Sequence, residues 1–546
     1  MPLPDHRRIS EYAQKGLDLA LRQVDAAPEH QTARKLARQR GRAGVVADGP
    51  RVLMLSPRDW SYHSMVDGML ATALALRGAD VRFLSCGGGL DVCDRANVTE
   101  APPMPCRSCT KYVQHTVAAF GFDSVPMIDA TRTADPASAD ARLERLSVDE
   151  LASVTYKDVP VGELMQIPTR WFLLASKADL DPLHPMMLRR FLSSARRVVD
   201  GVERALDTVR PDVVVMLSGL FSFESVVLAM CQARGIEAIT YERTYRPGNL
   251  IFSRNAAASH YEIADAWSRR RTLPLNAAED ANLDAYLAGR RDESHPIFDF
   301  WKGAEDRPPD RRRSGRLAAL FTNVTWDSAV IGRERAFDSI HDWLDASIAV
   351  VADRPDDELI IRIHPAETKM SGKRTREPIE EHLARTHPRL PPNVAVVGPE
   401  TPLSSYPLME AADVGLVLTS IVGLELALLG KPVVVAGRPH YHDRGFTHDA
   451  STAADYRRLV EAALDQPDEH GADVELARRY AQAFFFDAPV PFTHVTEPYP
   501  GLARLATDDI TELLPGVDPA LDRICDGVLA GGDFLTPASA WANSGS

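Results

Sequence analysis

The chain has 546 residues, of which 45% are hydrophobic and 25% are charged, and its formal net charge is -14. This length exceeds what one hydrophobic core usually organises, so two or more domains are expected. The acidic balance argues against nucleic-acid binding, which normally needs a basic domain or stripe. The N-terminus lacks an apolar segment of signal-peptide type, and polar residues and proline interrupt the longest apolar stretch, residues 414–437. We therefore expect a cytoplasmic protein without a membrane span.

The first predicted helix, residues 6–42, contains a basic run. Its members are Arg34, Lys35, Arg38, Arg40 and Arg42. A run of this kind can form a solvated helix face or touch an anionic membrane surface. We expect at most a peripheral contact with the inner face of a membrane.

Short apolar runs alternate with helical segments from residue 51 onward. In the first half, strands are predicted at 51–56, 80–85, 213–217 and 236–241, and helices at 62–77, 183–209 and 221–234. Residues 183–209 fit one long helix or a broken pair. In the second half, strands are predicted at 317–321, 359–363, 394–397, 414–418 and 433–436. Such alternation predicts parallel sheets with helices on both faces.

A solvated linker is predicted at residues 290–315, which contain two adjacent prolines and three consecutive arginines. We therefore expect two doubly wound, Rossmann-like α/β domains that face a cleft, at 1–300 and 316–500. Residues 501–546 are predicted to form a helix that packs back on the first domain and a flexible tail.

Ligands of doubly wound sheets bind outside the carboxyl ends of the strands. The residues that follow the predicted strands are therefore the candidates for binding and catalysis. In the first domain they are residues 59–63, 86–109, 218–224 and 242–246, and in the second 323–327, 364–373, 419–425 and 437–447.

The strongest local signal is the run LVLTSIVGLELALLGK at residues 416–431. A buried strand ends in Thr419 and Ser420, and a helix then begins. Two hydroxyls at a helix N-terminus suit a nucleotide phosphate, and Glu425 can accept hydrogen bonds from ribose hydroxyls. Alternatively, Thr419 and Ser420 only cap the helix and Glu425 closes a capping box.

A second signal is LIIRIHP at residues 359–365, in which a strand brings Arg362 and His364 to its end. A histidine there can donate to a phosphate or leaving group as an electrophilic stabiliser or general acid. The alternative is a purely structural histidine.

These elements occur in order in one domain, and together they resemble a family. Residues 419–447 (TSIVGLELALLGKPVVVAGRPHYHDRGFT) are similar to the donor domain of capsule and surface-polysaccharide glycosyltransferases, which are related to Kdo transferases. Bacterial sialyltransferases have a similar His-Pro element. Residues 321–327 (FTNVTWD) and 241–255 (YERTYRPGNLIFSRN) also resemble this group.

The resemblance implies a B-type glycosyltransferase with an acceptor-side domain at 1–300, which carries a cysteine-containing insertion, and a nucleotide-sugar donor domain at 316–500. The residues that it implies for donor binding are Arg362, His364, Thr419, Ser420 and Glu425, with Asn323 and Trp326 lining the pocket and Tyr441 in the last motif element. Three residues depart from the pattern, namely His440, Asp443 and Arg444. They put the identity of the donor or acceptor in doubt.

An inverting transfer needs a base for the acceptor hydroxyl. Asp59 is our first candidate because it closely follows the first strand, Glu242 is the second, and His63 and Glu224 are further candidates. A carboxylate on a loop can also be merely solvated, and a retaining enzyme needs no such base. No clear Asp-x-Asp motif occurs in a donor loop, which agrees with the resemblance to B-type enzymes. The resemblance implies that protein groups and helix ends stabilise the leaving phosphate, so we expect chemistry that needs no metal or other cofactor.

The expected partners are a nucleotide-sugar donor and a carbohydrate or lipid-linked acceptor. The alternatives are a sugar-nucleotide epimerase of the same fold, a CDP-glycerol-type glycerophosphotransferase and an inactive scaffold. The long first domain favours a transferase over a compact epimerase. The pattern does not indicate the nucleotide, the sugar, the stereochemistry or the oligomeric state.

Four of the six cysteines lie in one segment, as C-x6-C-x12-C-x2-C. They are Cys86, Cys93, Cys106 and Cys109. A cytoplasmic location disfavours disulfides, whereas four thiolates can hold structural Zn²⁺ or, as a second choice, an iron-sulfur cluster. A redox-sensitive disulfide and buried free thiols remain alternatives.

Overall fold

The structure is a computed structural model that describes residues 27–101, 104–128, 142–176, 181–291, 304–308, 310–370 and 372–537. Most of the first predicted helix and the end of the tail lie outside these residues. Two compact units are present, and their boundaries differ from the predicted domains. The first unit comprises the described residues of Met1–Thr169, Pro185–Tyr261 and Pro489–Thr536, and the second those of Arg170–His184, Glu262–Ala488 and Pro537–Ser546.

In chain order, the strands are β1 (Arg51–Leu55), β2 (Asp80–Ser85), β3 (Ser124–Pro126), β4 (Val213–Leu217), β5 (Glu237–Arg243), β6 (Asn249–Arg254), β7 (Leu317–Phe321), β8 (Glu358–Arg362), β9 (Val394–Val397), β10 (Val414–Val417), β11 (Val433–Val435), β12 (His448–Asp449), β13 (Val490–Pro491), β14 (Val495–Tyr499) and β15 (Leu502–Leu505).

The α-helices are α1 (Pro28–Ala43), α2 (Ser61–Leu76), α3 (Cys106–Ala119), α4 (Val148–Ala152), α5 (Val161–Leu164), α6 (Gln166–Leu173), α7 (His184–Val209), α8 (Glu224–Arg234), α9 (Ala264–Arg270), α10 (Ala277–Arg291), α11 (Ile340–Ala352), α12 (Ala366–Lys369), α13 (Ile379–Thr386), α14 (Tyr406–Ala411), α15 (Val422–Leu428), α16 (Ala453–Asp465), α17 (Val474–Gln482) and α18 (Pro519–Ala530). A π-helical turn, Ala483–Asp487, follows α17 directly.

The first unit has a seven-stranded sheet in the order β13-β6-β5-β4-β1-β2-β3. Every residue of β4 is buried, as expected for a strand that is covered on both faces. β1 to β5 pair in parallel, whereas β6 is antiparallel to both β5 and β13. The chain runs outward from β1 to β3 and then returns through β4, so the order of the sheet reverses between β1 and β4.

The second unit has a six-stranded parallel sheet in the order β12-β11-β10-β7-β8-β9. Its core joins the apolar residues of β7, β8 and β10 to those of α11 and α16. The strand order reverses between β7 and β10. In both units the reversal marks the edge at which a doubly wound sheet binds its ligand.

The prediction of α/β sheets with Rossmann-like order is confirmed. Residues 184–209 form one helix, not a broken pair. The predicted linker begins too early, because Arg290 and Arg291 lie in α10, which belongs to the second unit.

The C-terminal segment of the described chain belongs to the first unit. There α18 contacts α2, and β13 pairs with β6. Helix α1, which carries the basic run, contacts α2 and α3, and its Lys35 forms an ion pair with Asp508 at 2.6 Å. Among the described residues, no helix has the length and apolar character needed to cross a membrane.

Candidate functional site

Three strand ends meet at the reversal point of the second sheet, namely those of β7, β8 and β10. The Asn323 side chain, after β7, accepts a hydrogen bond from the backbone N–H of Thr419, after β10, at 3.3 Å. The backbone N–H of His364, after β8, donates to the Thr322 hydroxyl at 3.0 Å. These bonds tie the three strand ends into one cluster at the edge where doubly wound sheets bind ligands.

The Thr419 hydroxyl is the exceptional group of this cluster. Thr419 is 6% exposed, and its Oγ1 has no hydrogen-bond partner among the described residues. A buried hydroxyl without a partner is costly in free energy, so such a group calls for an explanation. A ligand oxygen at the strand edge would supply the missing bond.

Ser420 begins the turn into α15, where its Oγ accepts from the backbone N–H of Val422 at 3.3 Å. The Tyr441 hydroxyl donates to the Ser420 carbonyl oxygen at 2.5 Å. Gly423 permits this contact, because a Cβ atom there would lie 2.1 Å from the Tyr441 hydroxyl oxygen. Ser420 therefore accepts a hydrogen bond from the first residue of the helix, but the N-cap position is Ile421, which has no side-chain cap. The Tyr441 hydroxyl holds the turn in place by its bond to the Ser420 carbonyl oxygen.

Glu425 does not close a capping box. Its Oε1 forms a buried ion pair with Arg290 at 2.8 Å and accepts from the Tyr406 hydroxyl at 3.4 Å. Its Oε2 receives no hydrogen bond from the described residues. The predicted ribose contact would use that second oxygen.

His364 is held as a neutral ring. Burial and the charge of Arg362 lower the pKa of His364 to about 4. The backbone N–H of Ala366 donates to Nδ1 at 3.1 Å, so the ring proton lies on Nε2. A neutral ring of this kind can donate a hydrogen bond to a phosphate oxygen, but it carries no additional proton to release near neutral pH.

The contacts of Arg362 and Trp326 are with the protein itself. The Arg362 guanidinium donates to the carbonyl oxygens of Gly398 and Leu403 at 2.6 and 2.9 Å, which fixes the loop after β9. Trp326 is 1% exposed and donates from Nε1 to the Thr375 hydroxyl at 2.9 Å. The structure thus brings together Asn323, His364, Thr419, Ser420 and Tyr441, and places Arg362 and Trp326 in the surrounding framework.

The candidate bases of the first unit have different environments. Asp59 is paired with Arg95, whose Nη2 lies 3.1 Å from Asp59 Oδ2. Burial raises the pKa of Glu242 to about 7, while hydrogen bonds from the Arg243 backbone N–H and the Ser218 side chain oppose the shift. Glu242 is therefore a candidate whose protonation changes near neutral pH. Burial also raises the pKa of Glu224, but the Glu224 carboxylate is enclosed in an ion pair with Arg58.

His63 and Glu224 are less suited to accept a proton. Burial, Arg243 and Arg58 lower the pKa of His63 to about 3. Glu224 is 1% exposed, and its Oε2 lies 2.6 Å from the guanidinium of Arg58. A proton acceptor has to reach its substrate, whereas Glu224 is enclosed in an ion pair.

Two buried networks at the first sheet were not predicted. Arg58 bridges Glu224 and Asp94, with its Nη1 3.1 Å from Asp94 Oδ1. The Tyr241 hydroxyl donates to Asp67 at 2.6 Å, and burial raises the pKa of Asp67 to about 7. The signal available for Asp67 was its position as the one carboxylate of the predicted helix 62–77.

All four clustered cysteines are free thiols. Burial raises the pKa of Cys86 to about 11 and that of Cys109 to about 12, and it also raises the pKa of Cys93. Across the part of the chain that the structure describes, no three His, Cys, Asp or Glu residues are arranged to hold a metal ion. The structural metal site therefore stays a prediction.

Comparison with solved structures gives distant likenesses. The KpsC beta Kdo 2,4 transferase of Thermosulfurimonas dismutans is 17% identical, with 56% of this chain and 87% of that chain covered and a TM-score of 0.34. The UDP-GlcNAc 2-epimerase of Neisseria meningitidis, bound to UDP-GlcNAc, is 10% identical, with 80% and 97% covered and a TM-score of 0.26. The glycosyltransferase SsfS6 of Streptomyces sp. SF2575 is 13% identical, with 80% and 96% covered and a TM-score of 0.23. At these scores the likenesses carry no argument about function.

No curated protein matches the chain. The family model described as "Capsule polysaccharide biosynthesis protein" matches residues 276–475. This stretch contains β7 to β12 and each residue of the strand-end cluster. Over residues 276–475 the chain thus matches the capsule polysaccharide biosynthesis family, which confirms the resemblance noted in the sequence.

Proposed function

We propose that the protein is a glycosyltransferase that takes a sugar from a nucleotide-sugar donor bound at the strand-end cluster of the second unit. The observation that carries the proposal is the buried Thr419 hydroxyl, which has no hydrogen-bond partner among the described residues. The backbone N–H of the same residue donates to Asn323 at the reversal point of the sheet. The family match over the same residues supports it. The acceptor class is a surface polysaccharide, a glycolipid or a related small molecule.

In this proposal the hydroxyls of Thr419 and Ser420 donate to a phosphate of the donor. His364 donates from Nε2 to the phosphate that leaves with the nucleotide, and so stabilises its developing charge without giving up a proton. The second carboxylate oxygen of Glu425 accepts from the ribose hydroxyls. These groups can stabilise the leaving group by hydrogen bonding alone, and the proposed chemistry needs no metal.

We assign Glu242 of the first unit as the base of an inverting transfer. The acceptor oxygen forms a bond to the anomeric carbon while the bond from that carbon to the phosphate oxygen breaks. The electron pair of the broken bond leaves with the nucleotide, and Glu242 takes the hydroxyl proton. A base with a pKa near 7 is well matched to this task at neutral pH.

The first test is a thermal-shift screen of the protein against CMP, CDP, UDP, GDP and dTDP. A nucleotide at 100 times its dissociation constant should stabilise the native state by about 2.7 kcal/mol. Thr419→Val keeps the shape of the side chain and removes the hydroxyl. We expect an unchanged or slightly higher melting temperature and an affinity weakened by about tenfold, as for a lost hydrogen bond to a charged group.

Thr169→Val is the matched control. Thr169 is fully buried in the first unit, and its hydroxyl also lacks a partner among the described residues. The same atoms are therefore removed outside the cluster, and nucleotide affinity should not change. Equal nucleotide affinities in the wild type and Thr419→Val would remove Thr419 from the site.

The reaction itself is tested by incubating the protein with nucleotide sugars in the presence and absence of carbohydrate acceptors. A glycosyltransferase consumes the donor in step with glycosylation of the acceptor. An epimerase would instead convert the nucleotide sugar to its epimer without any acceptor. Transfer of glycerol phosphate from CDP-glycerol would likewise contradict the proposal.

A further inference from the structure

The chain leaves β4 of the first unit through a strained turn. The backbone N–H of Gly219 donates to the carbonyl oxygen of Leu217 at 2.6 Å, which closes a γ-turn with Ser218 at its centre. Ser218 has a φ of 57°, and a γ-turn with a positive central φ is the rare and strained form. Glycine adopts such a φ without strain. Because Ser218 is 1% exposed and strain of this kind concentrates at functional sites, its side chain calls for an explanation.

The turn places Ser218 beside the end of β5. Its backbone N–H donates to the carbonyl oxygen of Tyr241 at 2.7 Å, and Glu242 is the next residue of that strand. The Ser218 hydroxyl hydrogen-bonds to the Glu242 carboxylate and so lowers the pKa of Glu242, against the larger effect of burial. The backbone N–H of Arg243 donates to Glu242 Oε1 at 2.9 Å. Two donors therefore hold the carboxylate of the proposed base.

A second serine gives the Ser218 hydroxyl an alternative acceptor. Ser259 lies in the short 3₁₀ turn Ala258–His260, with its Oγ 3.1 Å from Ser218 Oγ. The Ser259 hydroxyl can donate to the Ser218 carbonyl oxygen at 3.2 Å, which leaves its Oγ free to accept. The single hydrogen of the Ser218 hydroxyl can therefore go to Glu242 or to Ser259.

This arrangement satisfies both protonation states of Glu242. When Glu242 is ionised, Ser218 donates to the carboxylate. When Glu242 is protonated, its carboxyl group can donate to Ser218 Oγ, and the Ser218 hydrogen then turns to Ser259. The bond to the ionised form is charge-assisted and therefore stronger, so Ser218 favours the form of Glu242 that can accept a proton.

The charge of Arg243, beside Glu242, is held in place by an ion pair. Its guanidinium lies 2.7 Å from the Glu497 carboxylate of β14 and 4.3 Å from the centre of the Tyr62 ring of α2. Tyr62 and Tyr241 also interact with the charge of Glu242, but burial raises the pKa of both phenols, so they stay neutral near pH 7.

Two further titratable groups belong to α2. His63 is neutral, because burial and nearby arginine charges lower its pKa to about 3. Asp67 accepts from the Tyr241 hydroxyl at 2.6 Å, and burial raises its pKa to about 7. Asp67 therefore titrates in the same range as Glu242, and the two carboxylates have to be separated experimentally.

We propose that Ser218 is a positioning residue of the transfer reaction, which fixes the Glu242 carboxylate and keeps it ionised at neutral pH, with Ser259 as the alternative acceptor. The strained turn brings the hydroxyl to the carboxylate, which explains a serine where glycine would fit more easily. The inference rests on the proposed function, in which Glu242 is the base, and it adds the residues that control this base.

The test is the pH dependence of kcat/KM for the wild type, Ser218→Ala and Ser218→Gly. Loss of a hydrogen bond to a charged group should raise the midpoint by about one pH unit from about 7. Below the midpoint, kcat/KM should then fall about tenfold relative to the wild type, while the plateau well above it is largely kept. Ser218→Gly should show the same shift and be at least as stable as Ser218→Ala, because glycine accepts the φ of the turn. An unmoved midpoint, or an equal loss at every pH, would overturn the inference.

Ser225→Ala is the matched control. Ser225 lies in α8 of the same unit, is 5% exposed, and its Oγ has no hydrogen-bond partner among the described residues. The same atoms are removed, and the midpoint should not move. Ser259→Ala instead removes the acceptor that is needed when Glu242 is protonated, so the midpoint should fall. A rise in Ser259→Ala would contradict the alternative acceptor.

Infrared spectroscopy follows the ionisation of Glu242 without any reaction. Subtracting the pH-dependent carboxyl bands of Glu242→Gln from those of the wild type removes Asp67 and the other carboxylates, and Ser218→Ala is treated in the same way with the double variant. If no transfer is found but Ser218→Ala raises the pKa of Glu242, the role of Ser218 is supported and the proposed function is wrong. If transfer is found but neither the pH profile nor the infrared titration moves, the inference alone is wrong. An unmoved titration in a protein without transfer would overturn both.

Discussion

Glu425 has two roles in the proposed site, since one oxygen binds Arg290 and the other is assigned to the ribose. Removing a carboxylate from a buried pair leaves an uncompensated charge, which typically costs about 3–5 kcal/mol. We therefore predict that Glu425→Ala weakens nucleotide binding and also lowers the melting temperature. His364→Ala removes a neutral ring that accepts a hydrogen bond from the Ala366 backbone N–H, and it should weaken nucleotide binding with a smaller loss of stability than Glu425→Ala. Calorimetry and thermal unfolding of both variants check this, and equal stability of the two would contradict the role of the ion pair.

Glu242 gives the transfer reaction a defined pH dependence. Its pKa of about 7 lies above the ordinary value of 4.5, so the protonated, inactive form increases as the pH falls. We predict that kcat/KM falls as the pH decreases through about 7, by up to tenfold per pH unit below it. Glu242→Gln should reduce turnover by a hundredfold or more, a usual contribution of a general base, without weakening nucleotide affinity.

Asp59→Asn tests the alternative base. Asp59 is paired with Arg95, so we expect a smaller effect on turnover than for Glu242→Gln and no change in the pH at which activity declines. A larger loss in Asp59→Asn would return the role of base to the residue that the sequence favoured. Undiminished turnover in both variants would favour a retaining mechanism.

At the scale of the element, α15 depends on a close approach between its first turn and Tyr441. Gly423→Ala would normally favour a helix, but here the new Cβ would lie 2.1 Å from the Tyr441 hydroxyl oxygen. We predict a loss of stability and of nucleotide affinity, because the Ser420 turn has to move. Tyr441→Phe removes the clashing oxygen and should partly rescue Gly423→Ala. Thermal unfolding of both single variants and the double variant measures this coupling, and strictly additive effects would contradict it.

Sequence patterns predicted the elements that are marked by one continuous run of apolar residues. β4 and β7 are uninterrupted apolar runs of five residues, and both lie at the predicted positions. β6 was not predicted, because it is an antiparallel strand whose sequence, NLIFSR, ends in polar residues. At the site, Thr419 and His364 follow predicted strands, whereas Arg290 lies 135 residues from Glu425 and no local pattern joins them. Partners brought together by the fold cannot be inferred from spacing.

At the scale of the whole molecule, the first unit is assembled from separated parts of the chain. Residues 489–536 complete it after the chain has formed most of the second unit. Leu521, Ile524 and Val528 of α18 are buried in the same core as Leu70 and Leu74 of α2. Each such side chain contributes roughly 1.5–3 kcal/mol through burial, so α18 supplies a large part of the stability of this unit.

We therefore predict that a chain ending at Ala488 loses the cooperative unfolding of the first unit, since it lacks β13, α18 and the β14–β15 hairpin. The residues Glu262–Ala488 stay intact, so part of the secondary structure should persist and give a separate transition. A chain ending at Pro537 is the control, because it removes only residues beyond the described part. Thermal unfolding followed by circular dichroism, with limited proteolysis, distinguishes these outcomes. A single wild-type transition in the chain ending at Ala488 would show that residues 489–536 are dispensable for the folding of the first unit.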